Sequence, residues 1–113
     1  ARLQVGIIYA RYGLYDAANR EFDRILEIDS DNSAVYNNRG NIYFTQGDYE
    51  RAIEDYTYAE RLSGNDAGIK MNISMANYQL GNLQLASNKY EEASMIDESV
   101  EGKFAGYVKL LSK

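Results

Sequence analysis

The chain has 113 residues, 45% hydrophobic and 26% charged, with a formal net charge of −5 and no proline, cysteine or histidine. That length holds one compact domain or a short stack of repeats, and no apolar run reaches the roughly 20 residues that cross a bilayer, so direct membrane insertion is excluded. The missing residue types exclude a disulfide, a thiolate nucleophile, a cysteine metal site and a histidine base, while the acidic balance without a Lys/Arg run argues against nucleic acid.

With no proline, every peptide N–H is available to a helical ladder, and 9 glycines supply most of the punctuation. The opening stretch, residues 1–6, has no initiator methionine and no apolar signal core, so the sequence is expected to be a segment of something longer. No targeting signal specifies a compartment. Along the first part of the chain a helix carrying Gly6, Ile8 and Tyr9 is expected to stop at Gly13, and a second carries Tyr15, Ala18 and Phe22 as far as Ile28. The polar cluster Asp29-Ser30-Asp31-Asn32-Ser33 follows as a linker whose side chains can cap the next helix.

The second part repeats the first at an offset of 34 residues, with Gly6 on Gly40, Ile8 on Ile42, Tyr9 on Tyr43, Gly13 on Gly47, Tyr15 on Tyr49 and Ala18 on Ala52. Tyr36, Gly40, Tyr43 and Phe44 recur at three- and four-residue steps, as do Tyr49, Ala52, Ile53, Tyr56 and Ala59. Two amphipathic helices fit, joined by Gly47 as a helix stop and Asp48 as a cap. A further 34 residues bring Gly47 onto Gly81, Ala52 onto Ala86, Tyr56 onto Tyr90 and Ala59 onto Ala93. Each unit is therefore a helical hairpin. Small residues at Gly6, Gly40 and Ser74, facing Ala18, Ala52 and Ala86, let the paired helices approach. One hairpin cannot bury its apolar stripe alone, so the hairpins stack.

Residues 99–112 resume an amphipathic period through Val100, Phe104, Tyr107, Val108 and Leu111 and are expected to form one capping helix. The alternative is the first helix of a truncated fourth repeat.

The pattern Tyr36-x-x-Arg39-Gly40-x-x-Tyr43, followed by Gly47, Ala52-x-x-x-Tyr56 and Ala59, resembles the tetratricopeptide repeat. The resemblance covers residues 1 to about 100, in units of about 1–32, 33–66 and 67–100, with departures at Arg39, Ser74 and Asn77. It implies an all-α, right-handed superhelix of three helix-turn-helix repeats plus a C-terminal capping helix, with the first helices of the hairpins lining a concave groove. Carrying the family's groove phases over gives Leu3, Ile7, Ala10 and Arg11, then Asn37, Asn38, Asn41, Phe44 and Thr45, then Met71, Asn72, Met75, Tyr78 and Gln79, with Lys109 at the far end.

Such a lining suits an extended peptide. Asn37, Asn41 and Asn72 offer amide donors and acceptors to a peptide backbone, and Phe44, Met71, Met75 and Tyr78 offer adaptable apolar contact. The family's two-carboxylate clamp for an acidic chaperone tail fits badly, because Leu3, Asn37, Gly68, Gly102 and Gly106 occupy the phases where cations are wanted and Arg11, Lys70 and Lys103 lie off them.

Residues 29–33 lack the central glycine and closing glutamate of a calcium loop. Asp48, Glu50, Glu54 and Asp55 read as exposed second-helix carboxylates rather than an acid–base pair. Of the 11 tyrosines, Tyr9, Tyr43, Tyr49, Tyr56 and Tyr90 fall in core phase, whereas Tyr12, Tyr58 and Tyr107 lie outside it and are expected to be exposed or to serve a contact between chains. The expectation is a non-enzymatic protein- or peptide-binding module without cofactor or metal. The alternative is a structural assembly module that self-associates, or packs on other parts of its parent, through the ends of the stack.

Overall fold

The computed structural model describes residues 2–111; residue 1 of the first expected unit and residue 112 of the expected terminal helix lie outside them. Eight helices follow in order: α1 (Arg2–Arg11), α2 (Tyr15–Ile28), α3 (Ser33–Thr45), α4 (Tyr49–Ser63), α5 (Ala67–Gln79), α6 (Leu83–Ile96), α7 (Ser99–Lys103) and α8 (Ala105–Leu111). No strand occurs among the described residues. Helices α1 and α2, α3 and α4, and α5 and α6 pair as hairpins, and α2 on α3 and α4 on α5 join them into an elongated stack of 41 × 26 × 22 Å.

The turns follow from local chemistry. Gly47 sits at φ +82°, in the left-handed region that closes a helix at low cost only for glycine, and Gly13 and Gly81 repeat it at +77° and +83°. The side chains of Asn32, Asp48 and Asp66 accept from the backbone N–H of Val35, Arg51 and Ile69, satisfying donors that the first turns of α3, α4 and α5 leave open.

Close helix approach within each hairpin is achieved in two ways. A Cβ on Gly40 would stand 2.7 Å from the Tyr56 ring and 3.2 Å from the Ala52 carbonyl oxygen, and one on Gly6 would stand 2.5 Å from Phe22. In the third hairpin Ser74 replaces the glycine, and its hydroxyl donates to the Ala86 carbonyl at 2.6 Å. Asn77, the other departure from the repeat, donates to the Ile73 carbonyl and accepts from Asn82. Polar contacts thus hold the hairpin where the aromatic pattern lapses.

Three clusters form the core. Ala18 and Phe22 pack with Val35 and Ile42 across the first interface, Ala52, Tyr56 and Ala59 pack with Ile69, Ile73 and Ala76 across the second, and Met71, Ala93 and Val100 close the third. Each cluster joins neighbouring elements along the stack, as expected where no hairpin can bury its stripe alone.

The terminal segment differs from the single helix expected over 99–112. It breaks at Phe104, which has φ −117° and ψ 32°, into the short helices α7 and α8. Gly102 and Gly106 flank the break, and two glycines within one turn remove about 2 kcal/mol of helix propensity relative to alanine. Phe104 and Tyr107 then reach the Met71 cluster from both sides of the bend.

Candidate functional site

The first helices of the three hairpins share a face carrying three cavities. One, of about 190 Å³, lies between α1 and α3 and is lined by Ile7, Ala10, Arg11, Asn38, Asn41 and Thr45 among others. A second, of about 320 Å³, lies between the N-terminal halves of α3 and α5, where Asn37, Asn38, Asp66, Asn72 and Phe104 contribute. The third, of about 100 Å³, is bounded by Asn41, Phe44, Tyr56, Asn72 and Met75. Asn38, Asn41 and Asn72 each border two of them, so the cavities form one connected groove.

The amides in this groove are already partly engaged. Asn72 Nδ2 donates to Asn37 Oδ1 at 2.9 Å, bridging α5 and α3, and Asn38 Nδ2 donates to the Ala34 carbonyl at 2.8 Å. The Tyr56 hydroxyl donates to Asn41 Oδ1 at 2.6 Å. Burial, reinforced by the Asp55 charge, pushes the Tyr56 phenol well above its ordinary value, so it stays protonated and serves as the donor. That fixes which end of the Asn41 amide is used. Among the described residues, Asn37 Nδ2 and Asn41 Nδ2 are left as donors and Asn38 Oδ1 and Asn72 Oδ1 as acceptors.

Ile7, Ala10, Arg11, Asn37, Asn38, Asn41, Phe44, Thr45, Asn72 and Met75 all border the groove. Thr45 turns its hydroxyl onto the Asn41 carbonyl, and Phe44 rests edge-on against Tyr49 at 5.1 Å. Met71 is a correction. It is fully buried against Ala93 and Val100, because α7 folds over the face its phase presents. Leu3, in the same phase, packs onto the Ala18–Phe22 cluster, which leaves only Asn37 of that phase in the groove. Tyr78 stacks edge-on with Tyr107 at 5.6 Å, and Gln79 and Lys109 are exposed; none of these three borders the three cavities.

Two other expectations change. Tyr107 is half-buried and shares a 2.7 Å hydrogen bond with the Ser74 hydroxyl, so it belongs to the intramolecular packing, whereas Tyr12 is 79% exposed and Tyr58 lies edge-on to Tyr36. Asp55 is buried rather than an exposed second-helix carboxylate, and Arg39 grips it with two 2.8 Å hydrogen bonds while stacking over Tyr36. The departure from the repeat at Arg39 is therefore half of a pair, and its signal was a charge in a core phase with a carboxylate 16 residues on.

A second ionic cluster had no sequence signature. The Lys70 side chain, 9% exposed, bridges Glu60 of α4 at 2.8 Å and Glu92 of α6 at 2.9 Å, and Lys89 joins both carboxylates. Burial alone would push the Lys70 ammonium down, but its two carboxylate bonds outweigh that and hold it above its ordinary value. This cluster ties the second hairpin to the third. Asp66, Phe104 and Tyr56 are among the additions to the groove, the first two because their places depend on the turn before α5 and on the bend after α7. No cluster of three acidic side chains suited to a metal ion occurs among the described residues, and no helix among them is long and apolar enough to cross a membrane.

The sequence pattern of the tetratricopeptide repeat matches residues 33–66. Human DnaJ homolog subfamily C member 3 is 30% identical over an alignment of 103 residues that covers 89% of this chain, and the chain spans only 20% of that protein's length. The first TPR of Spaghetti (RPAP3), solved with the HSP90 peptide SRMEEVD, superimposes with a TM-score of 0.83 at 20% identity, covering 99% of this chain and 91% of that one. The second TPR of the same protein, bound to the same peptide, gives a TM-score of 0.78 at 25% identity, covering 85% and 89%.

Proposed function

Because the chain belongs to the tetratricopeptide-repeat family, we propose that it is a non-enzymatic interaction module whose groove along α1, α3 and α5 holds an extended segment of a protein partner. The observation that carries this reading is the connected groove, in which four amides keep unused donors and acceptors beside the apolar walls of Phe44 and Met75. Backbone pairing by such amides holds a chain without demanding particular side chains. Similar domains that hold an HSP90 peptide support the general mode. The carboxylate clamp itself is not carried over, since Leu3, Asn37 and Gly68 stand where its cations are needed.

The test is a random dodecapeptide display selection against the intact chain, followed by fluorescence anisotropy on the selected peptides. Combining Asn41→Ala with Asn72→Ala should weaken binding by several fold, about 1 kcal/mol or more for the lost hydrogen bonds. Unchanged affinity in that double variant would remove the groove from the account.

A second reading has its own observation. Val5 and Ile8 of α1 are 41% and 48% exposed, while Ile73 and Ile42, their equivalents further along the stack, are buried by the preceding hairpin. This apolar strip fits the second helix of another hairpin, supplied by a second copy or by the parent protein. Light scattering across a concentration series separates the readings: a dimer lost on Ile8→Glu supports assembly through this face, and a concentration-independent monomer leaves the groove alone.

A further inference from the structure

Resting on the reading of the groove as a peptide site, we infer that its smallest cavity sets specificity. It selects one aliphatic side chain from an internal stretch of the partner, flanked by a carboxylate on the Arg11 side and a cationic side chain on the Asp66 side.

The walls of that cavity differ in stiffness. Tyr56 is 1% exposed and held by its bond to Asn41, and Phe44 is braced edge-on by Tyr49. Met75 forms a third wall, and its unbranched thioether adapts to the shape presented. The pocket between these walls has a volume of about 100 Å³ and opens onto the groove. Closed engineered apolar cavities of about 150 Å³ take a benzene ring, so this smaller pocket is better matched to valine, leucine, isoleucine or methionine than to an aromatic side chain. A polar side chain there would lose water without gaining partners beyond the amide rim.

Charge on either side gives the peptide a direction. The cavity shares Asn41 with the one lined by Arg11, and Arg11 makes no ion pair among the described residues. It shares Asn72 with the cavity lined by Asp66, whose Oδ1 caps α5 and whose carboxylate has no cationic partner among the described residues. A cation beyond the Asn41 wall and an anion beyond the Asn72 wall of an apolar pocket, neither in an ion pair among the described residues, are complementary to a segment reading acidic, aliphatic, basic in order of contact. Nothing in the groove pairs two adjacent carboxylates, so the segment is internal rather than a free acidic C-terminus.

The experiment uses peptides displayed with both ends blocked, then synthetic capped peptides measured by anisotropy against the intact chain. The selected peptides should share one aliphatic position with an acidic residue on one side and a basic residue on the other. Changing that position to alanine or phenylalanine should weaken binding at least about ten-fold. Arg11→Glu, an exposed substitution, should switch the flanking preference from acidic to basic, and Met75→Phe, checked for folding by circular dichroism, should abolish the aliphatic preference. Peptides that lose affinity on Asn41→Ala but share no aliphatic position, or an unchanged flank in Arg11→Glu, would overturn this inference while leaving the groove reading intact. Failure to enrich any peptide would overturn both.

Discussion

Replacing Gly40 by alanine asks whether close approach of α3 and α4 is what the repeat encodes. In an isolated helix the change is favourable by about 1 kcal/mol, since glycine is the poorer helix former. Here the new methyl would stand 2.7 Å from Cδ1 and Cε1 of Tyr56 and 3.2 Å from the Ala52 carbonyl oxygen. Tyr56 has no easy retreat, because its ring is 1% exposed, its hydroxyl is tied to Asn41 and Ala52 lies on the backbone side of the contact. Overpacking of this kind costs about 1–3 kcal/mol. Set against the propensity gain, the expected outcome is a net loss of up to about 2 kcal/mol, or up to roughly 8 °C in melting temperature. Gly106→Ala is the matched control: its Cβ meets nothing within 4 Å, so only the gain remains and stability should rise. Urea and thermal unfolding followed by circular dichroism would read both signs. A third variant, Tyr56→Leu, removes the ring, and Gly40→Ala should cost less in that background than in the wild type. If Gly40→Ala stabilised the chain as Gly106→Ala does, the reasoning from small residues to helix approach would be refuted.

Further perturbations read other parts of the fold. Arg39→Ala leaves the Asp55 carboxylate buried without its partner and should cost about 2–3 kcal/mol by urea unfolding, below the 3–5 expected for a wholly buried pair because the Arg39 side chain keeps 27% exposure. Replacing both by leucine should recover most of that loss. The Lys70 cluster makes stability fall at both extremes of pH. Burial opposes ionisation of Glu60, but the bonds of Lys70 and Lys89 hold it below its ordinary 4.5, so its contribution is present above 4.5 and is lost as pH falls through the lower folded value. Lys70 is held above its ordinary 10.5, so its contribution is present below 10.5 and is lost as pH rises through the higher folded value. Urea midpoints across pH should be flat between these limits, and Lys70→Met should diminish both falls. Finally, a free peptide ending Glu-Glu-Val-Asp should show no saturable binding by anisotropy, and tight binding would place cations where the sequence has Leu3, Asn37 and Gly68.

The hairpins were legible because their determinants are local and repeated. Gly47 followed by Asp48 specifies a stop and a cap, and Gly40 opposite Ala52 specifies an approach; each acts within a span that a single unit contains. What could not be read depends on neighbours. Met71 carries a groove phase, yet α7 buries it, and the path of α7 is set by a break at Phe104 between two glycines that a period of apolar residues does not reveal. Asp55 looked like surface until Arg39 supplied its counter-charge. Lys70 collects partners from α4 and α6, 10 and 22 residues away in opposite directions, and no local pattern announces such a cluster. The asparagines were identified as groove residues, but their mutual bonding, which decides which donors and acceptors remain, follows from the spacing of α3 and α5.

Partner segments are proposed to lie along α1, α3 and α5. Backbone amide shifts of the labelled chain, recorded while a display-selected capped peptide is titrated in, test this placement most directly. Saturable shifts should concentrate at Asn38, Asn41, Phe44, Asn72 and Met75, with α2 and the outer turns of α4 unmoved. Shifts confined to the second helices, or to the strip around Val5 and Ile8, would contradict it.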